Sequence, residues 1–158
     1  MTEKITIKGT APKFDEQVLK QRQAARHNQY HLTSESHSLV RGEIAFELLA
    51  NVIELAAQGY ELSSKYPITT APLSYSAYMR KPDAIQAADL EALDDQVKLD
   101  YIAAVEAERE RYRQLVTAQL LQKAELAEQK KIDDKKAKLL AEVQKEVNDL
   151  FGDLVIPD

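Results

Sequence analysis

A chain of 158 residues with 44% hydrophobic residues fits one domain with a real core. It contains no cysteine, which excludes a disulfide framework, a thiolate nucleophile and a cysteine-based zinc site; four glycines and five prolines are too few for a loop-rich or all-β design. The net charge of −5 is unevenly spread: residues 1–41 hold seven Lys/Arg against four Asp/Glu, residues 42–82 three against four, and residues 83–158 eleven against eighteen, so a basic arm precedes an acidic body.

No apolar run approaches the roughly 20 residues needed to span a bilayer. The start, from Met1 to Gly9, lacks the basic head and long apolar segment of a signal peptide. A cytoplasmic location without membrane association is expected.

In chain order, Ile5 and Ile7 alternate with Lys4 and Lys8, which predicts a short strand closed by Gly9 or an irregular terminus. Asp15 is an acceptable N-cap for a helix to about His27 whose apolar content is thin, and residues 28–38 read as a polar connection. From Ser36 or Ser38, the spacings Ile44, Leu48, Val52, Leu55 and Ala45, Leu49, Val52, Ala56 predict a helix buried on more than one side. Gly59 ends this core helix, expected over 38–57, by taking a left-handed conformation.

Prolines at 67, 72 and 82 forbid a continuous helix from Tyr60 to Pro82. Tyrosines interspersed with Ser and Thr favour extended chain, with Leu73 to Met79 one strand and its partner drawn from Tyr60 to Ile68. From Asp83 to Phe151 there is no glycine or proline, and Ala, Leu, Glu, Gln and Lys dominate. One continuous helix is the preferred reading; the alternative is a fold-back at Lys131 to Asp134, where apolar periodicity fades. Leu140, Val143, Val147, Leu150 and Leu154 step by 3, 4, 3 and 4, the spacing of a coiled-coil seam.

The expected fold is therefore mainly α: a buried central helix, a small β-hairpin or extended hook, and a long C-terminal helical, coiled-coil region. Three segments follow: 1–37, a basic arm with a short strand and a marginal helix; 38–82, the core helix with a Tyr-rich hairpin; and 83–158, the acidic helical region.

No catalytic or cofactor motif is present. His27 and His31 stand four apart, with Glu35 and His37 nearby, but HExxH is absent and the segment is polar, so solvated histidines explain the group better than a metal site. Ser34, Ser36 and Ser38 around His37 lack a nucleophile elbow and read as helix caps. Glycines at 9, 42, 59 and 152 are isolated, which excludes a phosphate loop. The pairs Asp94/Asp95 and Asp133/Asp134 read as solvated helix carboxylates.

Two features point outward. Tyr60, Tyr66, Tyr75 and Tyr78 beside Arg80 and Lys81 read first as a cover for the core helix with their hydroxyls in water; as a functional surface they suit a protein interface or, after that, a nucleotide held by stacking and phosphate pairing. The basic arm (Lys4, Lys8, Lys13, Lys20, Arg22, Arg26, Arg41) is too weakly charged for nucleic acid to be its expected partner; packing on acidic helices of its own or a neighbouring chain fits better. The functional expectation is a non-enzymatic assembly or adaptor protein without cofactor. Its long helices make a homo-oligomer, most simply a dimer, and its hook or arm engages a protein partner. The alternative is a nucleotide-sequestering module, or a mimic of nucleic acid built on the acids between Asp83 and Asp100.

Overall fold

The computed structural model describes residues 4–157. The chain forms two compact units: one comprises residues 13–106, the other the N-terminal arm up to Pro12 together with the chain from Ala107 onward.

In the first unit, α1 (Glu16–Leu32) is followed by a single 3-10 turn (Ser34–Ser36), β1 (His37–Gly42), α2 (Ala45–Ala57), β2 (Glu61–Leu62), β3 (Thr69–Ala71), β4 (Ser74–Arg80) and the start of α3 (Asp83–Phe151). The sheet is antiparallel throughout. β4 is its centre, with β1 along one edge and β2 and β3 sharing the other. The expected hairpin, β4 with β2, is thus half of a four-stranded sheet; the other two strands are β3, just past the expected partner range, and β1, at the start of what reads as the core helix.

That is the main correction. Residues 37–42 are strand, and α2 begins only at Ala45. In β1, Ser38 and Val40 sit opposite Met79 and Ala77, while Leu39 lies opposite Tyr78 on the other face. Gly42 makes the corner into α2: a Cβ there would stand 2.5 Å from the backbone nitrogen of Leu48, so no other residue fits without moving the helix.

Val40, Leu48, Ala77 and Met79 form the core between α2 and the sheet, with Val52, Leu55, Tyr60 and Tyr75 packed around them. α2 is buried along one side only, against the expectation of burial on several. Leu48 is 6% exposed, whereas Phe46, Leu49 and Ile53 are 76%, 60% and 69% exposed. A single small sheet covers one side of a helix, and the apolar stripe of α2 is wider than that side.

The end of α2 follows the sequence reading. Gly59 takes φ 92°, its N–H donates to Ala56 O and that of Tyr60 to Leu55 O, which together close the helix with a Schellman motif. Asp15 caps α1 as expected, accepting from the Gln17 N–H at 2.8 Å. α1 nevertheless runs to Leu32, past the expected end near His27.

α3 is unbroken over 69 residues, so the chain does not turn back at Lys131 to Asp134. Pro82 has no N–H to lose and its carbonyl accepts from Gln86, which starts the helix; Gly152, at φ 59°, ends it. No helix among the described residues is long and apolar enough to cross a membrane.

In the second unit, the arm lies antiparallel along α3. The Ile5 N–H donates to Gln122 Oε1 at 2.9 Å and Arg109 Nη1 donates to Pro12 O at 2.9 Å. The expected strand over Lys4 to Lys8 does not form, because its neighbour is a helix that offers side chains rather than a strand edge. From Lys123 to Pro157 every residue is exposed.

Candidate functional site

α1 runs antiparallel to the first part of α3, and the two are joined by polar and aromatic side chains. Phe14 stacks against Tyr101 with ring centroids 5.1 Å apart, and the Arg22 guanidinium sits 4.7 Å from the same ring. Gln23 Nε2 donates to the Asp94 carbonyl, and His27 Nε2 is 2.7 Å from Asp94 Oδ1. At the far end, buried Tyr30 donates to Asp89 Oδ2 at 2.6 Å, and Lys81 Nζ reaches that oxygen at 2.7 Å. Hydrogen bonds from Lys81 and then Tyr30 hold the Asp89 carboxyl below its ordinary range; burial, helped by Asp89, raises the Tyr30 phenol far above its own. Next to this, Arg26 grips Glu35 through two hydrogen bonds of 3.2 and 2.6 Å.

The six expected hook residues are distributed over three places. Tyr60 and Tyr75 pack against the α2 core. Tyr78 and Arg80 point to the opposite sheet face, where Tyr66 lies 4.7 Å from Tyr78 between ring centroids and meets His37 edge-on at 5.2 Å. Lys81 belongs to the Asp89 pair. Arg80 pairs with Asp83 at 2.9 Å and more loosely with Glu61 at 3.9 Å. Lys65 Nζ stands 5.5 Å from the Tyr66 ring centre while donating to Leu32 O. The aromatic cluster is therefore His37, Tyr66 and Tyr78 rather than four tyrosines, and both expected cations already hold carboxylates.

His37 bridges two hydroxyls, with Ser36 Oγ 3.0 Å from Nδ1 and Ser63 Oγ 3.1 Å from Nε2. Burial first, then the charges of Lys65 and Arg80, push its pKa down, so the ring is neutral near pH 7. Its two nitrogens meet hydroxyls and no carboxylate orients it, which is not the geometry of a nucleophile–base–acid triad. The His27, His31, Glu35 and His37 group is dispersed as well: His27 faces Asp94, Glu35 faces Arg26 and His37 faces serines. Among the described residues no group of three or more His, Asp or Glu could hold a metal ion.

Four acids of the Asp83 to Asp100 stretch have partners in the first unit: Asp83 with Arg80, Asp89 with Lys81 and Tyr30, Asp94 with His27, and Asp100 with Gln96. Of the basic arm, Arg22 and Arg26 are likewise engaged by Tyr101 and Glu35.

Comparison with protein-family models, with curated proteins and with solved structures finds no match for this chain.

Among the described residues, two runs of exposed apolar side chains lie along helix faces. One is the outer side of α2, where Phe46, Leu49 and Ile53 repeat at i, i+3 and i+7, with Glu47 and Glu54 along one border. The spacing in the sequence places Leu49 on a buried face of this helix, whereas it is 60% exposed. The other is the distal part of α3, where Leu140 and Leu150 are 68% and 82% exposed, with Val143 and Val147 bare between them and Leu154 just past the helix end.

Proposed function

We propose that this protein is a non-enzymatic assembly adaptor: the distal part of α3 self-associates, most simply as a dimer, and the first unit engages a protein partner. The observation that carries the reading is the unbroken helix from Lys123 to Phe151, exposed along its whole length and bearing the Leu140, Val143, Val147, Leu150 stripe. An isolated helix in water is marginal even when its propensity is good. An apolar 3–4 repeat on such a helix is stabilised when a second helix buries it by knobs-into-holes packing.

The partner-facing elements on this reading are the Tyr66–Tyr78 face of the hook and the outer side of α2, since aromatic and large aliphatic groups anchor interfaces. The alternative, a nucleotide at the hook, would require phosphate to displace Asp83 from Arg80 or Asp89 from Lys81. Excess absorbance at 260 nm in the purified protein would favour that alternative.

The test of self-association is the solution mass by light scattering after size exclusion. A multiple of 17.8 kDa is expected for the native chain. Val143→Asp combined with Val147→Asp should return it to a single chain, because a charge in a buried seam costs several kcal/mol, on the order of 3–5. A native single-chain mass, or an unchanged mass in the double variant, refutes the seam.

A further inference from the structure

We infer that the outer edge of β1 pairs antiparallel with β1 of a second copy, about a twofold axis at Leu39. This surface is separate from the distal part of α3, and the pairing does not depend on the seam there. β1 is an edge strand of the sheet, and its register with β4 runs from His37 to Gly42 without a bulge and without proline. Folded chains commonly blunt such an edge, because its free N–H and C=O groups recruit other strands.

The backbone hydrogen bonds define which groups are free. The Lys81 N–H donates to Ser36 O, so Ser36 and every second residue after it (Ser38, Val40 and Gly42) turn their backbone polar groups to β4. The Ser63 N–H donates to Tyr78 O, which agrees: Tyr78, opposite Leu39, turns its own groups away from β1. His37, Leu39 and Arg41 therefore turn theirs outward. Two of these groups are taken within the chain, the His37 N–H by Ser34 O and the Arg41 carbonyl by Asn51 Nδ2 at 2.9 Å. The His37 carbonyl, both groups of Leu39 and the Arg41 N–H have no partner among the described residues.

That set is self-complementary. With Leu39 facing Leu39 of the copy, each Leu39 N–H meets the other's carbonyl, and each Arg41 N–H meets the other's His37 carbonyl. The two groups already taken are the ones that would have faced each other in this register, so nothing is left over. A shift of two residues either way sets a free group against one already engaged, and so does a foreign strand. The side chains fit the same register. Leu39, 39% exposed, stands beside Tyr78, so pairing builds a row of Tyr78, Leu39 and their copies on one face. Exposed Arg41 comes opposite His37 of the copy, a ring that is neutral near pH 7. On the other face, α2 starts just after β1 and ends just before β2, on the far side of β4. The two α2 helices thus start at opposite ends of the paired strands and diverge from the axis.

Such a contact is well below the roughly 1,000 Å² of a stable interface, so a Kd on the order of 0.1–1 mM is expected. The test uses the full chain carrying Val143→Asp and Val147→Asp, so that the α3 seam is broken. Sedimentation equilibrium should show a single chain at about 10 μM and a growing share of dimer towards about 1 mM; a single chain at every concentration would overturn the pairing. Adding Leu39→Lys or Leu39→Glu sets like charges against each other across the axis, and either should weaken association about tenfold or more. Because residue 39 faces its own copy, mixing the two variants should restore it. Association that neither substitution weakens, or that mixing does not restore, would overturn the register. The native chain keeps the two readings apart. A native dimer at about 10 μM with no dimer of the seam-broken chain at about 1 mM refutes the β1 pairing and leaves the seam standing. A native single chain at the lower concentration, with a Leu39-dependent dimer at the higher, refutes the seam and supports the β1 pairing.

Discussion

Tyr30 and Lys81, 51 positions apart in sequence, converge on one oxygen of Asp89: the phenol donates to Oδ2 at 2.6 Å and the ammonium at 2.7 Å. This junction joins the end of α1, the end of β4 and the second turn of α3. Tyr30→Phe removes one donor but leaves the ion pair, so a loss of about 1 kcal/mol is expected, against roughly 2–3 kcal/mol for Asp89→Asn, which leaves a partly buried ammonium without its counter-charge. Urea denaturation of the two variants should reproduce that order; equal effects would show that the ion pair adds nothing to the hydrogen bond.

The same carboxylate sets an acid limb. Because Asp89 titrates lower in the folded chain than its unfolded value of 3.8, its contribution is complete above that pH and is lost as pH falls through the folded value. Stability measured between pH 5 and about 2 should therefore fall less steeply in Asp89→Asn than in the native chain.

His37 acts at milder acidity. Burial, then Lys65 and Arg80, depress its folded pKa below the unfolded 6.5, so the unfolded chain binds the proton first. Stability from this group is complete above pH 6.5 and declines below it. His37→Gln keeps a side chain able to reach Ser36 or Ser63 but cannot titrate. The difference in urea midpoint between variant and native chain should therefore shift in favour of the variant as pH drops from 7.5 to 5; a constant difference would contradict the assignment.

The two sides of α2 should respond oppositely to truncation. Leu48→Ala opens a cavity in the small core and should cost about 2–4 kcal/mol. Phe46→Ser removes a larger side chain from an open surface at similar helix propensity, and should stay within about 0.5 kcal/mol. Thermal or urea unfolding separates these outcomes readily. A large loss in Phe46→Ser would mean that this surface is already covered, for instance in an oligomer.

Leu73 is the one non-glycine residue with positive φ, 59°, among those described, in the turn between β3 and β4, and it is 75% exposed. Its side chain therefore contributes little packing while its backbone occupies the left-handed region, which costs a non-glycine residue roughly 1–2 kcal/mol. Leu73→Gly should stabilise the chain by up to about 1 kcal/mol, after allowing for the greater freedom of glycine in the unfolded state. A lower denaturation midpoint would show that the leucine makes contacts that outweigh its strain.

The sequence by itself determined the features written in local chemistry. The bounds of α3 follow from Pro82, Gly152 and 69 intervening residues free of glycine and proline. Asp15 and Gly59 mark helix ends because cap geometry is decided by the residue that occupies it. The strand after Pro72 is likewise readable from its tyrosines and serines. Only the tertiary structure decided the rest. His37 to Gly42 is strand because β4, more than thirty residues later, supplies the hydrogen-bond partners; Leu39 otherwise extends the helical spacing of α2 backwards without contradiction. Which apolar stripe of α2 becomes core depended on the one sheet available to cover it. The six hook residues were separated because alternation along β4 sends Tyr75 and Tyr78 to opposite faces, and Lys81, one residue past the strand, reaches Asp89 instead. Helix ends and periodicities are set by residues within a turn or two of one another, whereas strand pairing and the choice of buried face are set by partners that only the folded chain brings together.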